Sequence, residues 1–484
     1  MTRSPKTEQV STGLLTLYVD LDGTVIASDS LWECLVSVLK RAPLSTAMIP
    51  GWLVFGGRAR LKKELGLRAA IDMADLPYRP EVITFLKSQK ANGRRLVLAT
   101  AADTSIANAV SGHLSLFDDV LCSNGSINLK GKSKLAAIRE REANGFAYIG
   151  DSQADIPIWM VAEEVYVVSS SRSLLAKIEK RLAPAKVFAS PTSRHDVLRI
   201  LRPHQWIKNL LVFLPLLCAH QAGDIQKLKW ALIVFIALCL CASSVYILND
   251  LIDLGDDRSH PTKRRRPLAS GAIALRTGLI VFPILLIAGL LLARALPSYE
   301  ASGMLAFYWC CSAAYSIHFK RRLLLDVFIL AGLYTLRILI GGVATSIEVS
   351  PWLLAFSVFL FVSLAFAKRY AELRKMRDLE HAGIRGRGYF VDDLAIIEAV
   401  GPSSGYMAVL VLALYLNSEM AVKLYPHPLL LLLICPLIMY WLTRVWFFAR
   451  RGWLNMDPVV FALRDRVSWY TLLLGIALWM LTSL

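Results

Sequence analysis

The stretch Asn249-Asp250-Leu251-Ile252-Asp253-Leu254-Gly255-Asp256-Asp257-Arg258 follows a long apolar run and carries four carboxylates within eight positions. Unpaired carboxylates at a membrane boundary are costly and repel one another unless cations bind them. Asp250, Asp253 and Asp257 stand at i, i+3 and i+7, so one face of a continuous helix would present all three. Carboxylate oxygens at that spacing suit Mg²⁺, which in turn favours a diphosphate. The stretch therefore predicts a metal-dependent diphosphate site at the end of a membrane helix.

A basic segment comes directly after the acids and reads His260-Pro261-Thr262-Lys263-Arg264-Arg265-Arg266-Pro267. Lysine and arginine side chains bind phosphate oxygens through charge-assisted hydrogen bonds. Because the acids recur at helical spacing and the bases are segregated behind them, a binding site explains the pattern better than a solvated loop does.

The bulk composition divides the chain into a soluble part and a membrane part. The chain has 484 residues, of which 55% are hydrophobic, and a net charge of +17. Its bases lie mainly in short loops between apolar segments, so membrane topology explains the charge and a nucleic-acid partner is not expected. The eight cysteines form no CxxC or other metal-type spacing, and nothing demands an oxidising compartment.

The first 200 residues predict a soluble α/β domain. Short apolar runs at 14–19, 94–99, 146–149 and 165–168 alternate with helical patterns, which favours a mostly parallel, Rossmann-like sheet. Residues from about 28 to 90 exceed a simple crossover and predict an inserted helical cap. Inside it, the apolar run 48–55 is too short to span a bilayer. Either it faces the membrane or it is buried under the cap, and we expect burial. The predicted organisation is a soluble domain over 1–190, a linker over 191–200 (the Pro- and Ser-containing stretch 183–193 already suggests one), and a membrane domain over 201–484.

The membrane domain is predicted to be all-α and polytopic, with about nine transmembrane helices. Their approximate spans are 205–221, 228–248, 276–296, 301–319, 323–345, 350–368, 405–423, 428–448 and 467–484. The N-terminus has no signal-peptide apolar region, and the bases cluster in alternate loops. We therefore expect a multi-pass protein of the inner (cytoplasmic) membrane, with its N-terminal domain in the cytoplasm.

The soluble domain carries four short motifs at predicted strand ends. Asp20-Leu21-Asp22-Gly23-Thr24 places two carboxylates one residue apart, which suits a nucleophile and a proton donor. Thr100 ends a second strand, Lys134 follows, and Asp151 with Asp155 forms a second acidic pair.

In this order the four motifs resemble the haloacid dehalogenase superfamily of phosphatases, over about residues 14–190. The resemblance implies Asp20 as nucleophile and Asp22 as general acid/base. It implies that Thr100 and Lys134 hold the phosphoryl group, although Lys130 and Lys132 compete for the lysine role. It also implies that Asp151 and Asp155 bind Mg²⁺ together with Asp20.

The run Asn249–Asp257 fits N-D-x-x-D-x-x-x-D and, with about nine helices, looks like the UbiA superfamily of intramembrane prenyltransferases. Those enzymes hold a diphosphate through Mg²⁺ between two acidic motifs. The first motif matches, which implies Asn249, Asp250, Asp253 and Asp257 as metal-site residues. The second departs: the loop Lys368-Arg369-Tyr370-Ala371-Glu372 onward has fewer acids, leaving Glu372 as its candidate metal ligand, and many more bases.

The departures resemble one branch, the polyprenyl-phosphate phosphoribosyltransferases. Four segments carry this likeness: 202–209, 260–263, Asp326 with 334–337, and 368–372. The resemblance implies phosphoribosyl pyrophosphate as donor and a polyprenyl phosphate lipid as acceptor. Mg²⁺ on the first acids would stabilise the departing pyrophosphate. The candidates for binding phosphate in this half are Lys263, Arg266, Arg337, Lys368 and Arg369.

Arg337 is a charge inside a predicted membrane helix, and such residues usually mark a site. We expect it to contact a phosphate or to pair with Asp326, with snorkelling to the interface as the alternative.

Two rival functions remain open from the sequence. One is a prenyltransferase that moves a polyprenyl group from prenyl diphosphate to an aromatic or quinone precursor. The other makes the membrane half a lipid carrier or an anchor for the phosphatase, in which case replacing Asp250 and Asp253 would leave all chemistry intact. The main hypothesis is a bifunctional enzyme whose phosphatase-like half removes the 5-phosphate from the transferase product. Lipid chain length and oligomeric state stay open.

Overall fold

The structure, a computed structural model, describes residues 14–124, 127–142, 144–169, 171–180, 182–189, 194–378, 388–419, 421, 425, 428–454 and 457–483. The chain divides into two compact units. Unit 1 comprises residues 1–200 and 250–280, and unit 2 comprises residues 201–249 and 281–484.

Unit 1 is built on a six-stranded sheet of order β3-β2-β1-β4-β5-β6, in which every pairing is parallel. The strands are β1 (Leu17–Val19), β2 (Leu96–Asp103), β3 (Asp119–Ser123), β4 (Ala147–Gly150), β5 (Glu164–Val168) and β6 (Lys186–Phe188). The central strand β1 pairs with β2 and β4, so that Leu17 faces Leu96 on one side and Ala147 on the other. The predicted α/β class is confirmed.

Both faces of the sheet are buried. Leu17 and Val19 lie in one hydrophobic cluster, whereas Tyr18 between them lies in another. Successive side chains of a strand point to opposite faces, so a parallel sheet covered on both sides reads as a continuous apolar run. The helices that cover it, or lie near its edges, are α1 (Ser30–Arg41), α2 (Ile49–Arg68), α3 (Pro80–Ala91), α4 (Thr104–Leu114), α5 (Lys132–Arg141), α6 (Ile156–Trp159), α7 (Arg172–Glu179) and α8 (Arg194–Leu201).

The insertion between β1 and β2 is helical, as predicted. It contains α1, a 3₁₀ helix over Pro43–Met48, α2, a short 3₁₀ helix over Met73–Asp75, and α3. The expected burial of the apolar run 48–55 is wrong for part of it. Trp52 is buried, but Met48, Val54 and Phe55 are exposed.

Two strands escaped the sequence prediction. β3 alternates polar and apolar residues only weakly, and β6 has three residues at the sheet edge, of which two are exposed. β6 lies inside the stretch 183–193 that its composition predicts as a linker. A short edge strand buries too little apolar surface to leave a clear pattern in the sequence.

The acidic stretch does not form one continuous helix. The long helix α10 (Ile225–Ile252) ends before Asp253, and a new short helix, α11 (Leu254–Ser259), begins after it. The prediction that one helical face presents Asp250, Asp253 and Asp257 is therefore wrong at Asp253, which stands at the break. A 3₁₀ helix over Lys263–Arg265 follows in the basic segment.

The remaining helices are α9 (Leu214–Cys218), α12 (Leu275–Ala293), α13 (Tyr299–Ile317), α14 (Leu325–Thr345), α15 (Pro351–Asp378), α16 (Leu394–Leu416), α17 (Pro428–Leu431), α18 (Ile434–Arg451), α19 (Pro458–Arg464) and α20 (Arg466–Ser483). Among the described residues, five helical segments are long and apolar enough to cross a membrane: Ile225–Ile252, Leu275–Ala293, Leu325–Thr345, Pro351–Asp378 and Val391–Leu416. The chain is thus a multi-pass membrane protein, and the count of nine spans stays a prediction. The first predicted span, 205–221, is a 3₁₀ helix over Pro203–Phe213 followed by the short α9.

Candidate active sites

Asp20 stands at the carboxyl end of β1 and is bound by a buried lysine. Lys134 Nζ donates to Asp20 Oδ1 at 2.8 Å and to the Tyr148 hydroxyl at 3.0 Å. Tyr148 in turn donates to Asp155 Oδ1 at 2.8 Å. Because β1 and β4 are neighbours in a parallel sheet, their ends bring Asp20 and the Asp151–Asp155 loop to one edge.

Asp20, Asp151 and Asp155 form a group that can hold a metal ion. One oxygen from each of the three carboxylates lies within 4.8 Å of the others. Gly23, at φ +77°, passes so close that an added Cβ would lie 2.0 Å from Asp151 Oδ2. Only glycine tolerates both the left-handed backbone and that approach. The oxygen-only donor set fits Mg²⁺.

The carboxylates of this site are crowded. Burial raises the pKa of Asp20 to about 6 against the attraction of Lys134, with Asp155 adding to the rise. Burial also raises the pKa of Asp22 to about 7, helped by Asp29 and Asp20, although the Ser30 amide and hydroxyl donate to Asp22 at 2.7 and 3.0 Å. The pKa of Asp151 lies well above its usual value, mainly through burial. A bound cation would relieve this repulsion.

The two predicted phosphate-binding residues of this site, Thr100 and Lys134, are both buried. Thr100 is buried in β2, where its Oγ1 accepts a hydrogen bond from the Ala102 amide at 3.0 Å. Of the three competing lysines, Lys134 is the one beside Asp20, whereas Lys130 and Lys132 are exposed.

Two cations from the cap region also lie at this site, and the sequence motifs missed them. Lys62 on α2 donates to the carbonyl oxygen of Ala101 at 2.5 Å and to Asn128 Oδ1 at 3.2 Å. Burial lowers its pKa, against the attraction of Asp22 and Asp29. Arg79 Nε donates to the carbonyl oxygen of Gly23 at 3.0 Å. Neither residue belongs to a short motif, and α2 has little amphipathic periodicity that would have predicted which face is buried.

The acids after α10 are held by an arginine. Arg266 Nη1 donates to Asp250 Oδ1 at 3.0 Å and to Asp257 Oδ2 at 2.5 Å. Both carboxylates are buried, and Asp253 is half-buried. Burial raises the pKa of Asp257 against the attraction of Arg266. Arg266, predicted to bind phosphate, thus occupies the position between two carboxylates that a metal ion would take. Lys263 is exposed.

A buried ion pair connects the same loop to α1 within unit 1. Arg258 Nη1 and Nη2 donate to Glu33 at 3.0 and 2.6 Å, and Arg258 Nε donates to the carbonyl oxygen of Ala269 at 3.0 Å. The side chains of Arg258 and Glu33 are 7% and 3% exposed. Nothing in the sequence paired them, since 225 positions separate the two residues.

Unit 2 contains a cation cluster, which we define as Lys208, Arg337 and Lys368. Lys208 Nζ and Lys368 Nζ both donate to Asp457 Oδ2, at 2.8 and 3.2 Å. Lys208 and Arg337 lie over the Tyr334 ring, at 5.7 and 5.0 Å from its centroid. Asp457 was not among the predicted residues because it lies far along the chain in no recognisable motif.

Arg337 is buried and bound by neutral groups. It donates to Asn209 Oδ1 at 3.0 Å, to the Leu333 carbonyl oxygen at 2.6 Å and to the Tyr308 hydroxyl at 2.7 Å. The expected alternative of a pair with Asp326 is wrong. Asp326 instead accepts from Arg369 Nε at 2.5 Å and from the Tyr389 hydroxyl at 2.6 Å. One helix could not join Asp326 and Arg337, which lie about three turns apart.

Two residues of the second predicted motif, Arg369 and Glu372, bind each other. Besides Asp326, Arg369 binds Glu372, with 2.5 Å between Nη1 and Oε2. Asn249, predicted at the metal site, accepts from Lys320 Nζ at 3.1 Å within unit 2.

Comparison with protein families matches both halves of the chain. The model of the UbiA prenyltransferase family matches residues 210–464, and that of haloacid dehalogenase-like hydrolases matches residues 17–159. The uncharacterized protein y4nM of Sinorhizobium fredii is 38% identical over 464 residues, which cover 94% of this chain and 89% of that protein. Both domains therefore occur together in a second protein.

Two further relatives each match part of the chain. The nodulation protein NoeC of Azorhizobium caulinodans is 37% identical over 279 residues, which cover 57% of this chain and 89% of NoeC. Decaprenyl-phosphate phosphoribosyltransferase of Mycolicibacterium smegmatis is 37% identical over 185 residues. That match covers 37% of this chain and 57% of the mycobacterial protein.

Proposed function

The chain belongs to the UbiA prenyltransferase family and carries a haloacid dehalogenase-like hydrolase domain, and we propose that it synthesises a phosphoribosyl lipid and then removes the 5-phosphate from it. In the first reaction the membrane half transfers 5-phosphoribosyl from phosphoribosyl pyrophosphate to a polyprenyl phosphate. In the second, the hydrolase domain removes the 5-phosphate. Both reactions take place at the cytoplasmic face of the inner membrane.

The observation that carries the first reaction is the cation cluster of unit 2. Among the described residues, these three buried or half-buried cations have one carboxylate, Asp457, as a hydrogen-bond partner, and Arg337 is bound by neutral groups. Asp457 remains ionised, since Lys368 and Lys208 hold its pKa below the usual value against the effect of burial. A buried excess of positive charge is costly unless an anion neutralises it. A donor with a 5-phosphate and a diphosphate, and a lipid phosphate acceptor, supply such anions.

The similarity to the decaprenyl-phosphate phosphoribosyltransferase of Mycolicibacterium smegmatis supports phosphoribosyl as the group transferred. Three described segments that carry the likeness to phosphoribosyltransferases contribute the residues of this cluster or their partners: 202–209, 334–337 and 368–372. In a prenyltransferase of the usual kind, the second motif would supply further acids for Mg²⁺. Here its Glu372 is bound to Arg369, which favours phosphate binding over a second metal site.

Asp250, Asp253 and Asp257 are assigned to the metal, with Asn249 as an orienting or ligating residue. When bound there, Mg²⁺ would neutralise the charge that develops on the departing pyrophosphate. Arg266 already binds both Asp250 and Asp257. When the donor binds, Arg266 either moves to the pyrophosphate or binds the acids and the pyrophosphate together. Lys263 at the loop surface is assigned to the donor phosphates. The lipid phosphate oxygen forms the new bond to the ribosyl carbon as the bond to pyrophosphate breaks.

In the hydrolase domain, Asp20 is the proposed nucleophile at phosphorus, and Asp22 protonates the ribosyl oxygen as its bond to phosphorus breaks. Water, deprotonated by Asp22, then cleaves the phosphoryl group from Asp20 and releases inorganic phosphate. A raised pKa suits Asp22 to the proton-donor role, because it then holds a proton near neutral pH. Thr100 and Lys134 are assigned to the phosphoryl oxygens, and Asp151 and Asp155 hold Mg²⁺ with Asp20.

The test is a membrane assay with labelled phosphoribosyl pyrophosphate and a series of polyprenyl phosphates, with and without Mg²⁺. We expect Mg²⁺-dependent formation of phosphoribosyl lipid with one pyrophosphate released per lipid, followed by release of inorganic phosphate. If prenyl diphosphate and an aromatic acceptor are consumed instead, the chain is a prenyltransferase and the donor assignment is wrong. If Asp250→Ala and Asp253→Ala retain all turnover, the acids serve no chemistry and the membrane half acts as a carrier or anchor.

A further inference from the structure

The cap of the hydrolase domain carries an exposed apolar tip, formed by Leu44, Met48, Val54 and Phe55. Three of these side chains are almost fully accessible, at 89% for Leu44, 76% for Val54 and 80% for Phe55. Trp52, in the same segment, is buried and lies under the Arg68 guanidinium at 4.8 Å, so the segment is anchored to the cap by one face only. Large apolar side chains exposed together in one short segment mark an interaction surface.

The chain segment that carries the tip has charged side chains of one sign. No aspartate or glutamate occurs from residue 34 to residue 63, whereas exposed bases flank the tip on both sides. These bases are Arg41, Arg58, Arg60 and Lys63. Apolar side chains within a basic rim are the combination that binds an anionic bilayer surface.

The tip and the active site share one helix. Phe55 and Lys62 both lie on α2, about two turns apart, and Lys62 binds the carbonyl oxygen that follows Thr100. Between them Gly57 adopts φ +62° and ψ −161°, which kinks the helix. A phosphatase whose substrate is a lipid must reach the headgroup region, and this arrangement offers a short path from the bilayer surface to the phosphate-binding residues.

We propose that the cap tip inserts Leu44, Met48, Val54 and Phe55 into the headgroup region of an anionic bilayer, with its basic rim on lipid phosphates. This surface presents the lipid-borne phosphate to the hydrolase site, and that part of the inference rests on the proposed phosphatase function. The tip is a lipid-binding surface rather than a contact between two copies of the chain, because its four exposed bases would repel those of a second copy.

The test uses the full chain reconstituted in phosphatidylcholine liposomes with or without phosphatidylglycerol. An environment-sensitive fluorophore is attached at Phe55→Cys and, as a control, at Ser88→Cys on the exposed face of α3, with the labelled wild type as background. We expect a blue-shifted emission at position 55, quenched by a lipid-borne quencher and strengthened by the anionic lipid, and neither effect at position 88. Equal, water-like emission at both positions would overturn the proposal. So would a signal at position 55 that vanishes as the protein-to-lipid ratio falls, since that result indicates a contact between copies.

A second measurement compares substrates. The double variant Val54→Glu/Phe55→Glu should lower hydrolysis of a liposome-embedded phospholipid monoester roughly tenfold or more, because two large apolar side chains no longer enter the lipid. Its activity on soluble para-nitrophenyl phosphate should stay unchanged. Met160→Glu, at another exposed apolar position of unit 1, should alter neither activity. If both substrates fall equally, the tip serves folding and the inference fails. If the wild type hydrolyses neither substrate, the phosphatase proposal fails, while the fluorescence result still decides whether the tip meets lipid.

Discussion

Unit 1 holds two groups of acids that are built in different ways. At the sheet edge, three carboxylates converge within 4.8 Å and share one lysine, Lys134. Where α10 meets α11, Asp250 and Asp257 converge on one arginine nitrogen. In the first group one lysine balances one of three carboxylate charges, whereas in the second, one arginine balances one of two. The topology of a parallel sheet places the residues that follow neighbouring strands close together. At a helix end, acids lie close together only if the segment after the helix folds back on it.

This difference predicts how far each group tolerates the loss of one acid. The strongest effect is expected for Asp20→Asn, which removes the proposed nucleophile and a metal ligand together. Phosphate release from the phosphoribosyl lipid should fall about a thousandfold or more, because residues that act as a unit fail together. Formation of that lipid should stay within about twofold of wild type. Both products can be followed in one reaction by chromatography of labelled lipid, with Glu140→Gln as a neutral exposed control; loss of both activities would argue that the two halves are not separable.

The second largest effect is expected for Asp257→Asn at the helix-end group. Transfer should fall about a hundredfold, since one metal ligand and one partner of Arg266 are lost. The adjacent Asp256, whose side chain is 72% exposed, provides the matched control, and Asp256→Asn should be near wild type. Initial rates against Mg²⁺ concentration measure the effect. If Asp256→Asn lowers the transfer rate as much as Asp257→Asn does, burial does not identify the acids that bind the metal.

A third variant tests the cation cluster of unit 2. Lys368→Met should raise KM for phosphoribosyl pyrophosphate about tenfold, because one charge-assisted contact to a donor phosphate is lost. Asp457 keeps Lys208 as a partner, so folding should survive. Lys375→Met, at an exposed position of the same helix α15, should leave KM unchanged. Steady-state kinetics in detergent or liposomes distinguish the two; an unaltered KM in Lys368→Met would remove that residue from the donor site.

The smallest effect is expected for the buried pair that connects α1 to the acid loop. Glu33→Gln leaves Arg258 buried without its full counter-charge, which is destabilising when one partner of a buried pair is removed. Because Arg258 directly follows Asp257, transfer should fall about fivefold. The loop segment 263–266 should also become more sensitive to trypsin. The exposed pair Lys40–Asp256, at 3.7 Å, joins the same two segments, and Lys40→Gln should change neither property. Equal behaviour of the two variants would mean that burial of the Glu33 pair has no role in positioning the loop.

Much of this molecule was predictable because the signals are local. Asp20 and Asp22 follow an apolar run that can only be a buried strand, and Asp151 follows another, so their meeting at one sheet edge follows from the parallel topology. The length and apolarity of helices such as Leu325–Thr345 likewise predict membrane helices without any knowledge of their neighbours. Asp250 and Asp257 were predicted to lie together, and they do so through Arg266 rather than along one helix face.

The errors arise because a local sequence pattern does not show where a helix breaks or how remote segments pack. A helical spacing of i, i+3 and i+7 says nothing about whether the helix continues, and here it breaks at Asp253. Apolar residues 48–55 were expected inside because burial is the usual outcome, yet the kink at Gly57 leaves Val54 and Phe55 outside. The separation of Lys208 from Asp457 by 249 positions left no local pattern to join them.

The sequence by itself determined the two domain families and the candidate site residues, because apolar periodicity and strand-end motifs act over a few neighbouring residues. Only the tertiary structure decided which charges pair. Arg337 packs against Asn209 and Tyr308, Arg369 takes Asp326, and Arg258 finds Glu33. The physical reason is that a buried charge selects its partner by the packing of remote segments around it, and that packing is a property of the whole fold.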